Sequence, residues 1–160
     1  MARPKQTIPE RPALGAVFLS IVRGNKREAD IVRDLGRRQQ TISEQLGYLE
    51  QGGWIKRDKK TKEYSINYDK LINYYSEKFK MSKKILKENI KTWLAQIAAT
   101  TEQISLDGIG TQLVFVVTIY EIATGQMPLD DAFKLTEKRL RIPGLADAIK
   151  KSGFKRRELK

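Results

Sequence analysis

Apolar residues between positions 27 and 55 recur in two short stripes. Ile31, Val32 and Leu35 form the first, and Ile42, Leu46 and Leu49 form the second. Steps of three and four place each set on one side of a helix. The spacing therefore predicts two helices joined at Leu35-Gly36, the second covering residues 38–51 and stopped by Gly52-Gly53. The other side of that second helix carries Arg38, Gln39, Thr41, Ser43, Gln45 and Tyr48. Such side chains suit phosphates and base edges rather than a core.

The flanking pattern predicts the rest of the chain. Residues 13–23 form a strongly apolar helix stopped by Gly24-Asn25, with Leu14, Val17, Phe18, Ile21 and Val22 as a wide packing stripe. After Gly53 the period changes. Residues 54–57 and 63–67 predict two strands, joined by the polar tip Asp58-Lys59-Lys60-Thr61-Lys62. Helices follow over residues 69–80 and 83–100. Residues 103–110, with two glycines, predict a connector, and residues 111–124 a helix that is apolar almost all round. Pro128 opens a further helix to about residue 141, with Asp130 and Asp131 at its positive end. Pro143-Gly144 breaks it before a short helix at 145–151. The expected fold is mainly α with a small β-hairpin, an N-terminal winged helix-turn-helix followed by an all-helical C-terminal domain. The expected division is a flexible basic arm over 1–12, a winged helix-turn-helix over 13–80, and a helical domain with a basic tail over 81–160.

Charge sharpens this division. The 160 residues carry 31 Lys and Arg against 19 Asp and Glu, a formal charge of +12. That surplus favours a polyanionic partner, nucleic acid or an anionic membrane surface. It is not spread evenly. Residues 92–133 contain no Lys or Arg and five acids (Glu102, Asp107, Glu121, Asp130 and Asp131), whereas residues 134–160 hold ten basic side chains against three acidic ones. The middle block is therefore free for a role other than nucleic-acid contact. Its two readings are a dimerisation surface over residues 81–133 and the plain core of a helical domain.

The chain contains no cysteine and no histidine. Disulfides, thiolate chemistry, Cys or His metal ligation and imidazole acid–base catalysis are excluded. No glycine-rich phosphate loop occurs and the acids lack metal-ligand spacing, so no enzyme, cofactor or metal is expected. Residues 1–12 are polar and proline-rich, and the apolar run 113–120 is short for a membrane span. The expectation is a cytoplasmic, nucleoid-associated protein with no membrane partner.

Residues 35–57, LGRRQQTISEQLGYLEQGGWIKR, resemble the ArsR/MarR-type winged-helix transcriptional regulators. Leu35-Gly36, Gln39, Thr41-Ile42-Ser43, Leu46, Leu49, Gly53 and Trp54-Ile55 carry the resemblance, which extends over about residues 13–68. It implies a second helix placed in the DNA major groove beside a phosphate-gripping hairpin. One departure is Arg37-Arg38, where the family often has a small polar helix cap. Metal-sensing members use Cys and His ligands, so that branch does not apply.

Roles follow from side-chain chemistry. Arg38 suits guanine, and Gln39 or Gln40 adenine. Thr41 and Ser43 reach phosphate or a base edge, and Gln45 lies on the same side. Glu44 accepts from a cytosine amino group, pairs with Arg37 or faces solvent, while Tyr48 packs or meets phosphate. Arg37, Arg57, Lys59, Lys60 and Lys62 neutralise phosphate. The expected function is sequence-specific binding of double-stranded DNA by a dimeric transcriptional repressor. The alternatives are a plasmid partition, replication or nucleoid-organising protein that coats DNA, and a winged-helix adaptor that binds proteins.

Overall fold

Pro12–Val22 forms α1, and every residue from Leu14 to Ile21 is buried. A helix without a polar face has to be enclosed. In the computed structural model, which describes residues 7–142 and 144, α1 is enclosed by four helices and a hairpin. These are α2 (Glu28–Leu35), α3 (Gln39–Gln51), α5 (Lys83–Thr100), α6 (Leu106–Ala123) and the antiparallel pair β1 (Ile55–Arg57) and β2 (Tyr64–Ile66). Between β2 and α5 runs α4 (Tyr68–Lys78), and α7 (Leu129–Leu140) packs on α6. The protein is mainly helical with one small two-stranded sheet among the described residues, as the hydrophobic pattern predicts.

Local chemistry sets the helix ends. Gly36 closes α2 in the left-handed conformation, with φ 64°, a region that costs glycine nothing. Asn67, Ser82 and Ser105 cap α4, α5 and α6, each side chain accepting a backbone N–H of the first turn. The Ser105 cap overturns one expectation. Residues 106–110 are not connector but the first turns of α6. Gly108 and Gly110 serve close packing rather than a turn: a Cβ on Gly110 would stand 2.3 Å from Phe79 Cε2. Tyr75, fully buried, donates to Leu106 O at 2.6 Å in the same place.

A single hydrophobic core runs from Leu14 through Phe18, Ile31, Leu49, Leu71 and Leu86 to Val117. The division at residue 80 therefore does not separate two cores. The α5–α6 connection sits directly on α1, where a Cβ on Gly15 would fall 1.5 Å from Ile104 O. Residues 7–12 also depart from the flexible arm expected over 1–12. Ile8–Glu10 is a 3-10 turn packed against α6, with Ile8 on the core. The rest of that arm, the short helix expected at 145–151 and the basic tail lie outside the described residues.

With 18 residues and a mean hydropathy of 1.4, α6 has the length and composition to cross a membrane. Its burial gives a different account. Leu106, Ile109, Leu113, Val114 and Val117 are completely enclosed by the protein's own core. Phe115 and Ile119 are the exception, 50% and 65% exposed, four residues apart on one uncovered face. The far end of α7 is held by a buried ion pair: Arg139 Nη1 donates to Glu121 Oε1 at 2.8 Å and to Thr118 Oγ1 at 3.1 Å.

Candidate nucleic-acid interface

On α3 the two faces are sharply divided. Ile42, Leu46 and Leu49 are at most 1% exposed and pack in the core beside α1, while Arg38, Gln39, Gln40, Ser43 and Glu44 are exposed. Thr41 is half-buried between the faces. Arg38 occupies the N-cap with extended backbone and no side-chain cap bond. The first amides of α3 thus keep their capacity for an incoming acceptor, at the positive end of the helix.

Two residues expected at this surface are turned into the protein. Arg37 Nη1 donates to Ala13 O and to Gln45 Oε1, both at 3.0 Å, and Nη2 donates to Gln103 Oε1 at 3.2 Å. Arg37 and Gln45 thereby tie α3 to the start of α1 and to the α5–α6 connection. Glu44 does not pair with Arg37 and remains exposed. Gln39 Nε2 reaches Glu28 Oε2 at 3.4 Å on the surface, a long contact that an incoming base could replace. Tyr48 is 46% exposed and lies under the Arg11 guanidinium, 5.4 Å from its ring centre.

The hairpin stands beside the C-terminal end of α3. Its strands pair Ile55 with Ile66 and Arg57 with Tyr64, which turns Ile55, Tyr64 and Ile66 into the core and Lys56 and Ser65 outward. Asn67 Nδ2 donates to Gly53 O at 2.8 Å, and Tyr64 N donates to Lys26 O at 2.7 Å, fixing the base of the hairpin. At the tip, Asp58 accepts the Lys60 and Thr61 amides at 2.8 and 3.0 Å. Those backbone bonds hold its carboxyl below the usual aspartate range despite slight desolvation. The turn spends its one carboxylate on backbone, so Lys59, Lys60 and Lys62 project into solvent. Arg57, Lys59 and Lys62 converge with Glu50 around an open cleft of about 390 Å³ between hairpin and α3. Arg57 also lies over the Tyr64 ring at 5.5 Å.

The fold thus sets the lysine-bearing tip beside the C-terminal end of α3, at Glu50. It adds Lys56, which the local pattern does not single out, and seats Arg11 of the basic arm over Tyr48. The anchors of Arg37, Ala13 and Gln103, carry no local signal because they lie 24 and 66 residues away. Among the described residues no group of acids is placed to hold a metal ion. Comparison of the chain with family models, curated proteins and solved structures gives no match.

Proposed function

We propose that this chain is a winged helix-turn-helix protein that binds double-stranded DNA with sequence preference, as a dimeric transcriptional repressor acting on the nucleoid. The observation that carries the reading is the exposure of Arg38, Gln39, Gln40, Ser43 and Glu44 on a helix whose opposite side is sealed in the core. A helix so mounted enters a major groove, where arginine and glutamine form bidentate contacts with guanine and adenine. The hairpin tip supports it. Arg57, Lys59, Lys60 and Lys62 meet the adjoining phosphates and supply affinity that does not depend on sequence. Arg37 and Gln45 hold α3 at its angle rather than contacting bases. No catalytic role is assigned.

A single domain of this kind covers little DNA, and pairing two of them gains affinity and spacing. The uncovered face of α6 at Phe115 and Ile119 supports a symmetric contact between two copies. Selection of bound sequences from random duplexes, followed by footprinting, tests the proposal. A short palindromic footprint is expected. Spreading protection favours a DNA-coating protein, and no protection favours a protein-binding adaptor. Arg38→Ala is expected to cost about 1–3 kcal/mol on the selected site and little on unrelated DNA. Equal losses on every sequence would reduce Arg38 to a phosphate contact.

A further inference from the structure

Lys78, Lys80, Lys138 and Arg141 wall an open groove of about 500 Å³ where the end of α4 meets the end of α7, with Glu137 the one acid lining it among the described residues. The two walls come from segments some sixty residues apart, so no run of sequence announces them. Cations at helix C-termini have an ordinary explanation, since they offset the negative end of the helix dipole. That accounts for Lys78 and Lys138, which lie in the last turns of α4 and α7. It does not account for the backbone conformation of the other two.

Lys80 and Arg141 stand beyond the helix ends with φ of 54° and 56°. This is the left-handed region, where side chains are strained and glycine is not. Apart from Lys62 at the hairpin tip, with φ 59°, the chain uses glycine at the other such turns among the described residues, as at Gly24, Gly36, Gly53 and Gly125. Here it places two long cations, both exposed and, among the described residues, in no ion pair. A second observation fixes their spacing. Arg139, between them on α7, turns inward to Glu121 and donates from Nε to Lys80 O at 3.3 Å. The buried arginine thus joins the two walls, and the groove is a built feature rather than two adjacent loose ends. Each helix end contributes roughly half a negative charge, which with Glu137 and the Asp107 carboxylate paired to Lys78 leaves a surplus of about one positive charge.

We infer that this groove is a second nucleic-acid contact, gripping the phosphate backbone away from the hairpin and reading no bases. Every described residue lining it carries a charged head group, and its open form suits a phosphate chain better than an enclosed small anion. The inference rests on the chain being a DNA-binding protein, but not on which bases α3 meets.

The test uses the full chain and a duplex of about three helical turns, titrated across a salt series. The variant is Lys80→Gln/Lys138→Gln/Arg141→Gln, with Lys138→Glu as a milder second form and circular dichroism as the folding control. Lys78 is left alone because it pairs with Asp107 at 2.8 Å. The triple variant is expected to weaken binding to all duplexes alike and to lower the salt slope by about 2–3, near one for each phosphate no longer neutralised. Unchanged slope and affinity in a folded variant overturn the groove, whatever Arg38→Ala does. Loss of DNA binding in the triple variant, with Arg38→Ala silent, keeps the groove and removes the assignment of base reading to α3. Wild-type binding to phosphatidylglycerol vesicles, lost in the triple variant while DNA binding is unchanged, overturns the groove in favour of a lipid surface. No binding of wild type to any duplex overturns both.

Discussion

Arg37 and Gln45 are joined by a 3.0 Å hydrogen bond on the side of α3 that faces the rest of the protein. The same guanidinium holds Ala13 O and Gln103 Oε1, so one side chain connects the α2–α3 segment to α1 and to the α5–α6 connection. Arg37→Ala breaks three bonds to a charged donor, and a loss of about 1–3 kcal/mol in unfolding free energy is expected. Binding should weaken on specific and non-specific DNA in the same proportion, because the helix loses its angle and not a base contact. Chemical denaturation and binding titrations check the two parts. A changed base preference would return Arg37 to the contact surface.

Phe115 and Ile119 leave an apolar stripe on α6 without cover. If it joins two copies, Ile119→Asp should convert a sedimenting dimer into a monomer. DNA affinity should fall with it, since the second recognition helix is no longer tethered to the first. A wild-type monomer at micromolar concentration, or a variant that stays dimeric, would place the contact elsewhere.

The Arg139–Glu121 pair lies at 2.8 Å with both residues buried. Removing one charge strands the other in a low-dielectric interior. Arg139→Met is therefore expected to destabilise by about 3–5 kcal/mol. Arg139→Met together with Glu121→Leu should recover most of that loss, because two apolar side chains of similar volume need no partner. Urea unfolding of the three variants gives the answer, and additive losses would contradict it.

Acid sensitivity should centre partly on Asp34. Burial alone raises the pKa of its carboxyl. Hydrogen bonds from Ser20 and Arg23, each at 2.6 Å, the Arg23 charge and Asn25 outweigh that, and the net displacement is downward. A depressed folded value means that the ionised carboxylate stabilises the fold above the unfolded value of about 3.9. The contribution then disappears as pH falls through the lower folded value. The stability difference between wild type and Asp34→Asn should be constant near neutrality and shrink below about pH 4. A difference that grows on acidification would reverse the sign.

Where helical spacing and turn residues act locally, the sequence was a reliable guide. The limits of α5 at 83 and 100, the buried stripe of Ile42, Leu46 and Leu49, and the hairpin after Gly53 all follow from patterns a few residues long. Gly108 and Gly110 misled because glycine's two uses, bending a chain and admitting a neighbour, look alike until Ile104 is seen against the first and Phe79 and Tyr75 against the second.

Composition and periodicity by themselves determined a mainly helical chain with one hairpin, a helix polar on one side, and the absence of Cys and His chemistry. Tertiary structure alone decided that one core spans both halves, that Arg37 and Gln45 face inward, and that Lys80 and Arg141 share a groove. The physical reason is range. Helix and strand periods are written in neighbours along the chain, whereas a side chain's direction depends on partners such as Gln103 that arrive from 66 residues away.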